Sequence, residues 1–193
     1  MADPLYVTFV AGRTGSWQIE RIEGVRGPTL PSADRLAILE AETVALLDAA
    51  TSVDAARWVL RGVTSNERYV TRAEHDALDA GQPPLGRPEA THAALIPSRK
   101  SAAWWALAQD ERRTIFEEAS HHVRTGLAYL PAVARRLHHG RELGEPFDFL
   151  TWFDFAPAHA DAFDELVGRL RATVEWDYVD REVEIRLSRA PRG

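Results

Sequence analysis

The aromatic stretch from Phe147 to Phe155, FDFLTWFDF, restricts the fold more than any other part of the sequence. Successive side chains of a β-strand point to opposite faces, so period-two alternation divides such a run into two sides. One side carries Phe147, Phe149, Thr151, Phe153 and Phe155, and the other carries Asp148, Leu150, Trp152 and Asp154. The stretch therefore predicts a strand in the core of the protein.

Shorter segments predict the remaining elements. Alternating or compact apolar residues predict an opening hairpin of residues 5–11 and 17–25, and strands over 58–63, 93–97, 176–179 and 182–188. Helical spacing predicts helices over 32–49 and 159–172, around Trp104, and around His122 as far as Pro131. A capping-box pattern starts another helix at Thr71, and a further helix is predicted to carry Arg135. Clustered strands with helices packed on them indicate an α+β fold.

One histidine is predicted to lie on the apolar face of its helix. At about 100° per residue, His122 falls near Ile115 on the face that also holds Ala119, Gly126 and Leu130. The opposite face is predicted to be exposed and carries His121, Glu117, Glu118, Arg124 and Thr125. A buried imidazole is more often a core residue with an ordinary hydrogen-bond partner than a metal ligand. Periodicity alone therefore favours a structural role for His122 and leaves a ligand role open.

Several separated motifs favour the ligand role of His122 over the structural role. They are KSxxWW at 100–105, ER at 111–112, SHH at 120–122, YLPAVARRLHHG at 129–140, LGEPFDFLTWFDF at 143–155, LRATVEW at 170–176 and VDREVEIRLSR at 179–189. Together they resemble the chlorite dismutase family of haem proteins, specifically its short, dimeric branch, over residues 58–189. The resemblance is specific because many separated positions agree at once.

The resemblance implies roles for five residues. His122 matches the family's proximal haem ligand, and Arg135, thirteen positions later, matches its flexible distal arginine. Glu175 matches the carboxylate that hydrogen-bonds to the proximal histidine, and Lys100 matches a nearby proximal lysine. Gln82, in the loop 82–87, matches a distal glutamine of the short branch, where the motifs are less alike.

Four more residues are candidates for contacts with haem. A haem needs an imidazole at iron, an apolar slot, and cations or hydroxyls near its propionates. Trp104 and Trp105, together with the 147–155 strand, are predicted to line the slot, although aromatic residues at such spacing are also ordinary core residues. Arg68 and Tyr69 are predicted propionate contacts, with loop or helix capping as the alternative.

The resemblance also implies the architecture and the activity. It implies two ferredoxin-like halves in one chain, residues 1–98 and 99–193, of the dimeric α+β barrel type, with haem b in the carboxy-terminal half. It implies a homodimer that converts chlorite to chloride and dioxygen through ferryl haem and a transient hypochlorite, which Arg135 would hold.

The sequence also fits two alternative functions. The related coproheme decarboxylase of haem synthesis shares the fold, but its better-known members are longer and lack an arginine matching Arg135. The other alternative is a dimer that binds or senses haem without turning over a substrate.

Composition excludes several other kinds of site and gives no support for several classes of protein. The chain has 193 residues and no cysteine, which excludes disulfides, thiolate metal sites and cysteine nucleophiles. A net charge of −6 without a basic block gives no support for binding nucleic acid or anionic membranes. The sequence has neither a run of about 18 apolar residues nor a leader pattern, so a cytoplasmic protein is expected.

The remaining polar residues have simpler explanations. No metal-ligand spacing accompanies the other histidines, which are predicted to be surface or capping residues: His75, His92, His138, His139 and His159. The acidic residues Asp161, Asp164 and Glu165 lie early in a predicted helix, where they complement its dipole.

Overall fold

The computed structural model describes residues 5–42, 56–64 and 68–190. Within them, eight strands are formed: β1 (Leu5–Gly12), β2 (Trp17–Arg26), β3 (Arg35–Ala41), β4 (Trp58–Thr64), β5 (His92–Lys100), β6 (Val133–His139), β7 (Phe149–Phe155) and β8 (Val179–Ser188). They form a closed barrel in the order β1-β3-β2-β8-β5-β7-β6-β4, in which β4 pairs with β1. The overall fold is α+β, as predicted.

Short helices connect the strands in the described part of the chain. They are α1 (Arg72–Gly81), α2 (Ala102–Ala106), α3 (Gln109–Arg113), α4 (His122–Leu127) and α5 (Ala160–Arg171). A π-helical turn covers Thr114–Ala119, and 3-10 turns cover Arg141–Leu143, Pro157–His159 and Val174–Tyr178. None of the described helices is long and apolar enough to span a membrane.

The aromatic stretch forms a core strand, as predicted. Residues Phe149–Phe155 form β7, which pairs with β5 on one side and β6 on the other. Leu150 and Trp152 belong to the cluster that fills the barrel. Phe153 and Phe155 belong to a second cluster, with Phe163 of α5. The strand therefore separates two apolar layers, which explains why both of its sides are largely apolar.

Several other predictions are confirmed. Residues 58–63 and 93–97 lie in β4 and β5, and α5 lies within the predicted helix 159–172. The capping box at the start of α1 is present, because the Glu74 amide donates to Thr71 Oγ1 and the Thr71 amide donates to Glu74 Oε2. The reciprocal bonds satisfy two amide groups that a helix start otherwise leaves without partners.

The predicted opening hairpin is wrong, because β3 lies between β1 and β2. Leu36 of β3 is paired with Ala11 of β1 on one side and with Trp17 of β2 on the other. The turn between β1 and β2 passes over the backbone of β3 at Gly15, where a Cβ atom would lie 2.3 Å from the Leu36 carbonyl group. Only glycine allows that close approach.

The predicted helix over residues 32–49 is wrong where the structure describes it. Residues Arg35–Ala41 form β3, and residues 43–49 lie outside the described residues. Leu36 is fully buried in the barrel, and Ile38, two positions later, packs against the same cluster. Leu36 and Ile38 thus share one face of a strand. Pairing with β1 at seven positions outweighs the helical spacing of Leu36 and Leu39.

Two further assignments in the carboxy-terminal half are wrong. Arg135 lies on β6 and not on a helix, since residues after the cis Leu130–Pro131 bond pair with β7 at seven positions. Residues 176–178 belong to a 3-10 turn, so that β8 begins at Val179. Both errors arise because local periodicity does not show which residues pair with a neighbouring strand.

Candidate functional site

A cavity of about 400 Å³ lies against the carboxy-terminal half of the barrel. One wall is the outer face of the sheet, with Ile96 of β5, Leu137 of β6, and Phe149 and Phe153 of β7. The other wall comes from α1, the π-helical turn, α4 and α5, and it includes His122. Small-molecule and cofactor sites in proteins have volumes of about 300 to 1,000 Å³, so this is a cavity of suitable size.

The helical conformation is interrupted directly before His122. The π-helical turn ends at Ala119, His121 takes a left-handed conformation with φ of 53°, and α4 begins at His122. The prediction of one continuous helix is therefore wrong. The predicted faces are partly wrong too: Glu118 and Arg124 are exposed, whereas Glu117, in the π-helical turn before the break, and Thr125, in α4 after it, are buried.

The two adjacent histidines nevertheless point in different directions. His122 lines the cavity, whereas His121 is not among its described lining residues and lies in a groove behind α4. His121 Nδ1 lies 2.9 Å from the Glu117 carbonyl oxygen, which fixes its ring there. The His122 ring stacks on Phe116, with 4.4 Å between ring centroids and an interplanar angle of 21°. The pair therefore does not chelate one ion.

A buried carboxylate holds the His122 ring. Glu175 Oε2 lies 2.7 Å from His122 Nδ1, and Lys100 Nζ donates to Glu175 Oε1 at 2.7 Å. Burial raises the pKa of Glu175, but the attraction and hydrogen bonds of His122 and Lys100 outweigh this and lower it to about 2. Glu175 is therefore ionised at neutral pH. Its bond to Nδ1 leaves Nε2 as the ring nitrogen that can bind a metal or substrate.

Arg135 reaches the same cavity from β6. Its guanidinium group lies against α4 at Gly126, where an added Cβ atom would be 2.2 Å from Nη1. Gly126 is one turn after His122, so the cation rests close to the histidine-bearing helix. Gln82, directly after α1, also lines the cavity, and its side-chain amide donates to the Pro83 carbonyl oxygen at 3.1 Å.

The two adjacent tryptophans have different environments. Trp104 is buried, lines the cavity and lies under Lys100, whose Nζ is 4.6 Å from a Trp104 ring centroid. Its indole Nε1 is buried and has no hydrogen-bond partner within the described protein. Trp105 is not among the described lining residues; its Nε1 donates to Asp148 Oδ2 at 3.1 Å. Trp105 thus contacts the strand behind the cavity.

Arg68 and Tyr69 also line the cavity. Arg68 donates to Glu142 Oε1 at 2.7 Å. Tyr69 has a left-handed backbone, with φ of 65°, and its carbonyl oxygen accepts a hydrogen bond from Arg113. The Tyr69 hydroxyl is buried and has no hydrogen-bond partner within the described protein. Both residues are therefore placed at the cavity, together with a buried donor that a ligand could use.

Comparison with known proteins identifies the family. A sequence model of the family described as "Chlorite dismutase" matches residues 32–190. This chain belongs to the chlorite dismutase family. It is 55% identical to a dimeric chlorite dismutase of known structure from Nitrobacter winogradskyi, with 95% of this chain and 99% of that chain covered and a TM-score of 0.84.

Other chlorite dismutase structures share the fold at lower identity. One from Candidatus Nitrospira defluvii in complex with imidazole is 21% identical, with 96% of this chain and 91% of that chain covered and a TM-score of 0.71. A mutant from the same organism in complex with cyanide is 20% identical, with the same coverage and a TM-score of 0.72. These two comparisons concern the fold alone.

The candidate site also contains residues that the sequence does not predict. Phe116 stacks on His122, and Glu117 is bonded to the amide groups that follow it. Asp148 accepts hydrogen bonds from the Lys100 amide and the Trp105 indole. Asp148 could have been noticed as an acid inside a core strand segment, since buried acids need partners. Phe116 and Glu117 carry no such signal.

An ion pair fixes the α1 wall of the cavity. Arg113 of α3 donates to both carboxylate oxygens of Glu74 in α1, each at 2.7 Å. The hydrogen bond from Arg113 lowers the pKa of Glu74 to about 2, so the pair is charged at neutral pH. Planar, two-point pairing of this kind also fixes orientation. The pair therefore holds α1 and its cavity residue Leu78 against the π-helical side of the site.

The prediction that His138 and His139 are surface residues is wrong. Both lie on β6 and are buried. Burial lowers the pKa of His138 to about 3, and burial with repulsion from Arg68 lowers the pKa of His139 to about 4. His159 is exposed as predicted, while His75 and His92 are half-buried. Among the described residues, no group of three or more His, Asp or Glu side chains is arranged to hold a metal ion.

Proposed function

We propose that this protein is a haem-dependent chlorite dismutase, which converts one chlorite ion into one chloride ion and one dioxygen molecule. The observation that carries the proposal is the His122–Glu175–Lys100 chain at a largely apolar cavity that Arg135 also enters. The 55% identity to a dimeric chlorite dismutase supports this activity over the decarboxylase and the non-catalytic alternatives.

The residues at the cavity fit a haem group. His122 would bind the haem iron through Nε2, because Nδ1 is bonded to Glu175. Ile96, Leu137, Phe149 and Phe153 supply an apolar surface. The buried indole of Trp104 and the hydroxyl of Tyr69 are donors without a partner among the residues that the structure describes, as needed near carboxylate substituents. Arg68, next to Tyr69, adds a cation at the same cavity.

Haem b, when bound, would supply the redox chemistry that breaks the Cl–O bonds and joins two oxygen atoms. The protein's own contribution on the His122 side is electrostatic. The ionised Glu175 accepts a hydrogen bond from Nδ1–H of His122 and gives the ring partial imidazolate character, which makes it a stronger donor ligand. Lys100 keeps this carboxylate charged although it is buried.

Arg135, at the same cavity, would bind the anion. A guanidinium is always charged and offers several donors in one plane, so it can bind chlorite and then hold hypochlorite until the oxygen–oxygen bond forms. Gln82, at the same cavity, adds an uncharged donor and acceptor. Confinement would prevent the oxidant from escaping and damaging the protein.

We also propose the arrangement that the family resemblance implies. Strands β1 to β4 are neighbours in the barrel, as are β5 to β8, which supports two ferredoxin-like halves with haem b in the second. Because β5 spans His92–Lys100, this grouping favours a division before residue 92 over the predicted division into residues 1–98 and 99–193. The dimeric relative from Nitrobacter winogradskyi supports a homodimer. The cytoplasmic location stays a prediction from the sequence.

The proposal is tested by spectra and oxygen measurements on one preparation. Purified protein loaded with haem should show a Soret band, and chlorite should then produce dioxygen and chloride in equal amounts, measured with an oxygen electrode and by ion chromatography. Free haem and the apoprotein serve as controls. A protein that binds haem but evolves no oxygen above the free-haem control would be a binding module and not this enzyme.

Replacing Glu175 with glutamine should raise the ferric/ferrous reduction potential while haem stays bound. The neutral amide reduces the anionic character of the His122 ring, which stabilises ferric iron less well. Each tenfold loss of preference for ferric iron corresponds to about 59 mV in a one-electron couple. Spectroelectrochemical titration measures the change.

Glu182→Gln is the matched control for Glu175→Gln. Glu182 is another buried carboxylate at the cavity, but its hydrogen bonds are to Arg171 and Trp176. Its removal should change the potential much less. Equal shifts in both variants would mean that any lost negative charge has this effect, and that the bond to His122 has no special importance.

A further inference from the structure

The helix that begins at His122 lacks a conventional cap. The first amide groups of a helix have no partners within it, and a Ser, Thr, Asp or Asn side chain just before the helix usually accepts their hydrogen bonds. In α4 the preceding residue is His121, which is left-handed and makes no capping hydrogen bond. The amide groups of Val123 and Arg124 therefore need acceptors from elsewhere.

Glu117 supplies those acceptors from the preceding turn. Its Oε2 accepts the Val123 amide at 2.6 Å, and its Oε1 accepts the Arg124 amide at 3.3 Å. Its carbonyl oxygen accepts the His121 amide at 2.9 Å and lies 2.9 Å from His121 Nδ1. One residue thus binds the peptide groups on both sides of His122.

The burial of Glu117 is consistent with this arrangement. Only 7% of the residue is exposed, and a buried carboxylate is unfavourable unless its oxygens are hydrogen-bonded. Both oxygens are bonded to the amide groups just after His122. The adjacent Glu118 is exposed, so burial belongs to this one acid and not to the acidic pair.

The contacts of Glu117 complement those of Glu175. Glu175 fixes the rotation of the His122 ring through Nδ1, and its own amide donates to Ser120 Oγ at 3.0 Å. Phe116, next to Glu117, packs against the ring face. A fixed ring orientation directs Nε2 into the cavity only if the backbone of His122 is also fixed. Glu117 provides the contacts that fix this backbone.

We propose that Glu117 is a positioning residue for His122: its carboxylate sets the start and direction of α4, so that Nε2 of the ring faces the haem cavity. The inference rests on the proposed role of His122 as haem ligand. It differs from that role, because Glu117 is not among the described residues that line the cavity and acts through the backbone.

Three variants test the proposal. Glu117→Ala removes both acceptors, and Glu117→Gln keeps one acceptor oxygen but places an NH₂ group against the other amide. Glu118→Gln is the matched control on the exposed neighbour. Haemin titration should give a dissociation constant about tenfold higher for Glu117→Ala, because hydrogen bonds to a buried charged group are lost, with Glu117→Gln in between and Glu118→Gln unchanged.

A spectroscopic measurement separates positioning from general destabilisation. In the ferrous protein, the iron–histidine stretching band should shift and broaden in Glu117→Ala, return towards the wild-type band in Glu117→Gln, and be unchanged in Glu118→Gln. If both Glu117 variants fold and show the wild-type band and haemin affinity, the proposal is overturned, even if they unfold at a lower temperature.

The apoprotein gives a result that does not depend on haem. Amide hydrogen exchange at Val123 and Arg124 should be faster in Glu117→Ala than in the wild type, and the NMR signals of the His122 ring should move. If the wild type fails to bind haemin, the proposed function falls, and these apoprotein measurements alone decide about Glu117. Unchanged exchange and ring signals would overturn its role. Should Glu117→Ala not fold, the same comparison is made with Glu117→Gln.

Discussion

Replacing His122 with alanine should abolish stable haem binding, whereas His121→Asn should retain it. Of these two histidines, only His122 is among the described lining residues of the cavity, and its Nδ1 is held by Glu175. Loss of a partner behind a metal ligand typically costs 10- to 100-fold in affinity, so loss of the ligand itself should raise the haemin dissociation constant by more than about 100-fold. Titration of the apoproteins with haemin, followed at the Soret band, measures the effect.

The control at His121 takes account of its backbone. Asparagine tolerates the left-handed conformation that His121 adopts, so His121→Asn removes the imidazole with little backbone strain. Circular dichroism of both apoproteins establishes that they are folded before titration. Equal haemin affinities of His122→Ala and His121→Asn would refute the ligand assignment, and a loss confined to His121→Asn would reverse it.

The sequence predicts the parts of the fold whose pattern is local. The 147–155 stretch is visibly a strand because alternation and aromatic content agree, and the capping box at Thr71 marks the start of α1 by itself. The errors arise where pairing with a neighbouring strand decides the structure. β3 and β6 were both predicted as helices, and each is a strand because it pairs at seven positions with a neighbour that local spacing does not show.

The candidate site likewise has a part that the sequence predicts and a part that it does not. The family resemblance singles out His122, Glu175 and Lys100, which the structure brings together although Lys100 and Glu175 are 75 positions apart. The break before His122 could not be predicted, because a π-helical turn and a left-handed His121 have no sequence pattern as clear as a capping box. For that reason Glu117, assigned to an exposed face by helical periodicity, is buried beside the candidate ligand.

The surroundings of Arg135 suggest a way to move its side chain without removing it. A Cβ atom on Gly126 would lie 2.2 Å from Arg135 Nη1, so Gly126→Ala must displace the guanidinium, which is the flexible end of a long side chain. The substitution keeps the charge and leaves His122 and Glu175 in place. It should therefore change how the cation is positioned while haem still binds, and its oxygen yield should lie between those of the wild type and Arg135→Ala.

Replacing Arg135 with alanine should leave haem binding intact but reduce oxygen evolution from chlorite by about one to two powers of ten, since a hydrogen bond to a charged group contributes about 1.5 to 3 kcal/mol. If the guanidinium holds hypochlorite, the variant should also bleach sooner, and a thioether that traps hypochlorite should protect it more than the wild type. Arg135→Lys should be intermediate, because an ammonium keeps the charge without the planar group of donors.

Arg136→Ala is the control for Arg135→Ala, because Arg136 is the next cation on β6 and also lines the cavity, but its guanidinium donates to Glu40 at 3.3 Å. Oxygen yield and haem lifetime should then stay near those of the wild type. Equal losses in both variants would mean that the positive charge of β6 matters and not the position of one guanidinium. If Arg135→Ala turned over chlorite at the wild-type rate with the same lifetime, Arg135 would not confine the oxidant, and the anion would be held by another group at the cavity, with Gln82 the first to replace.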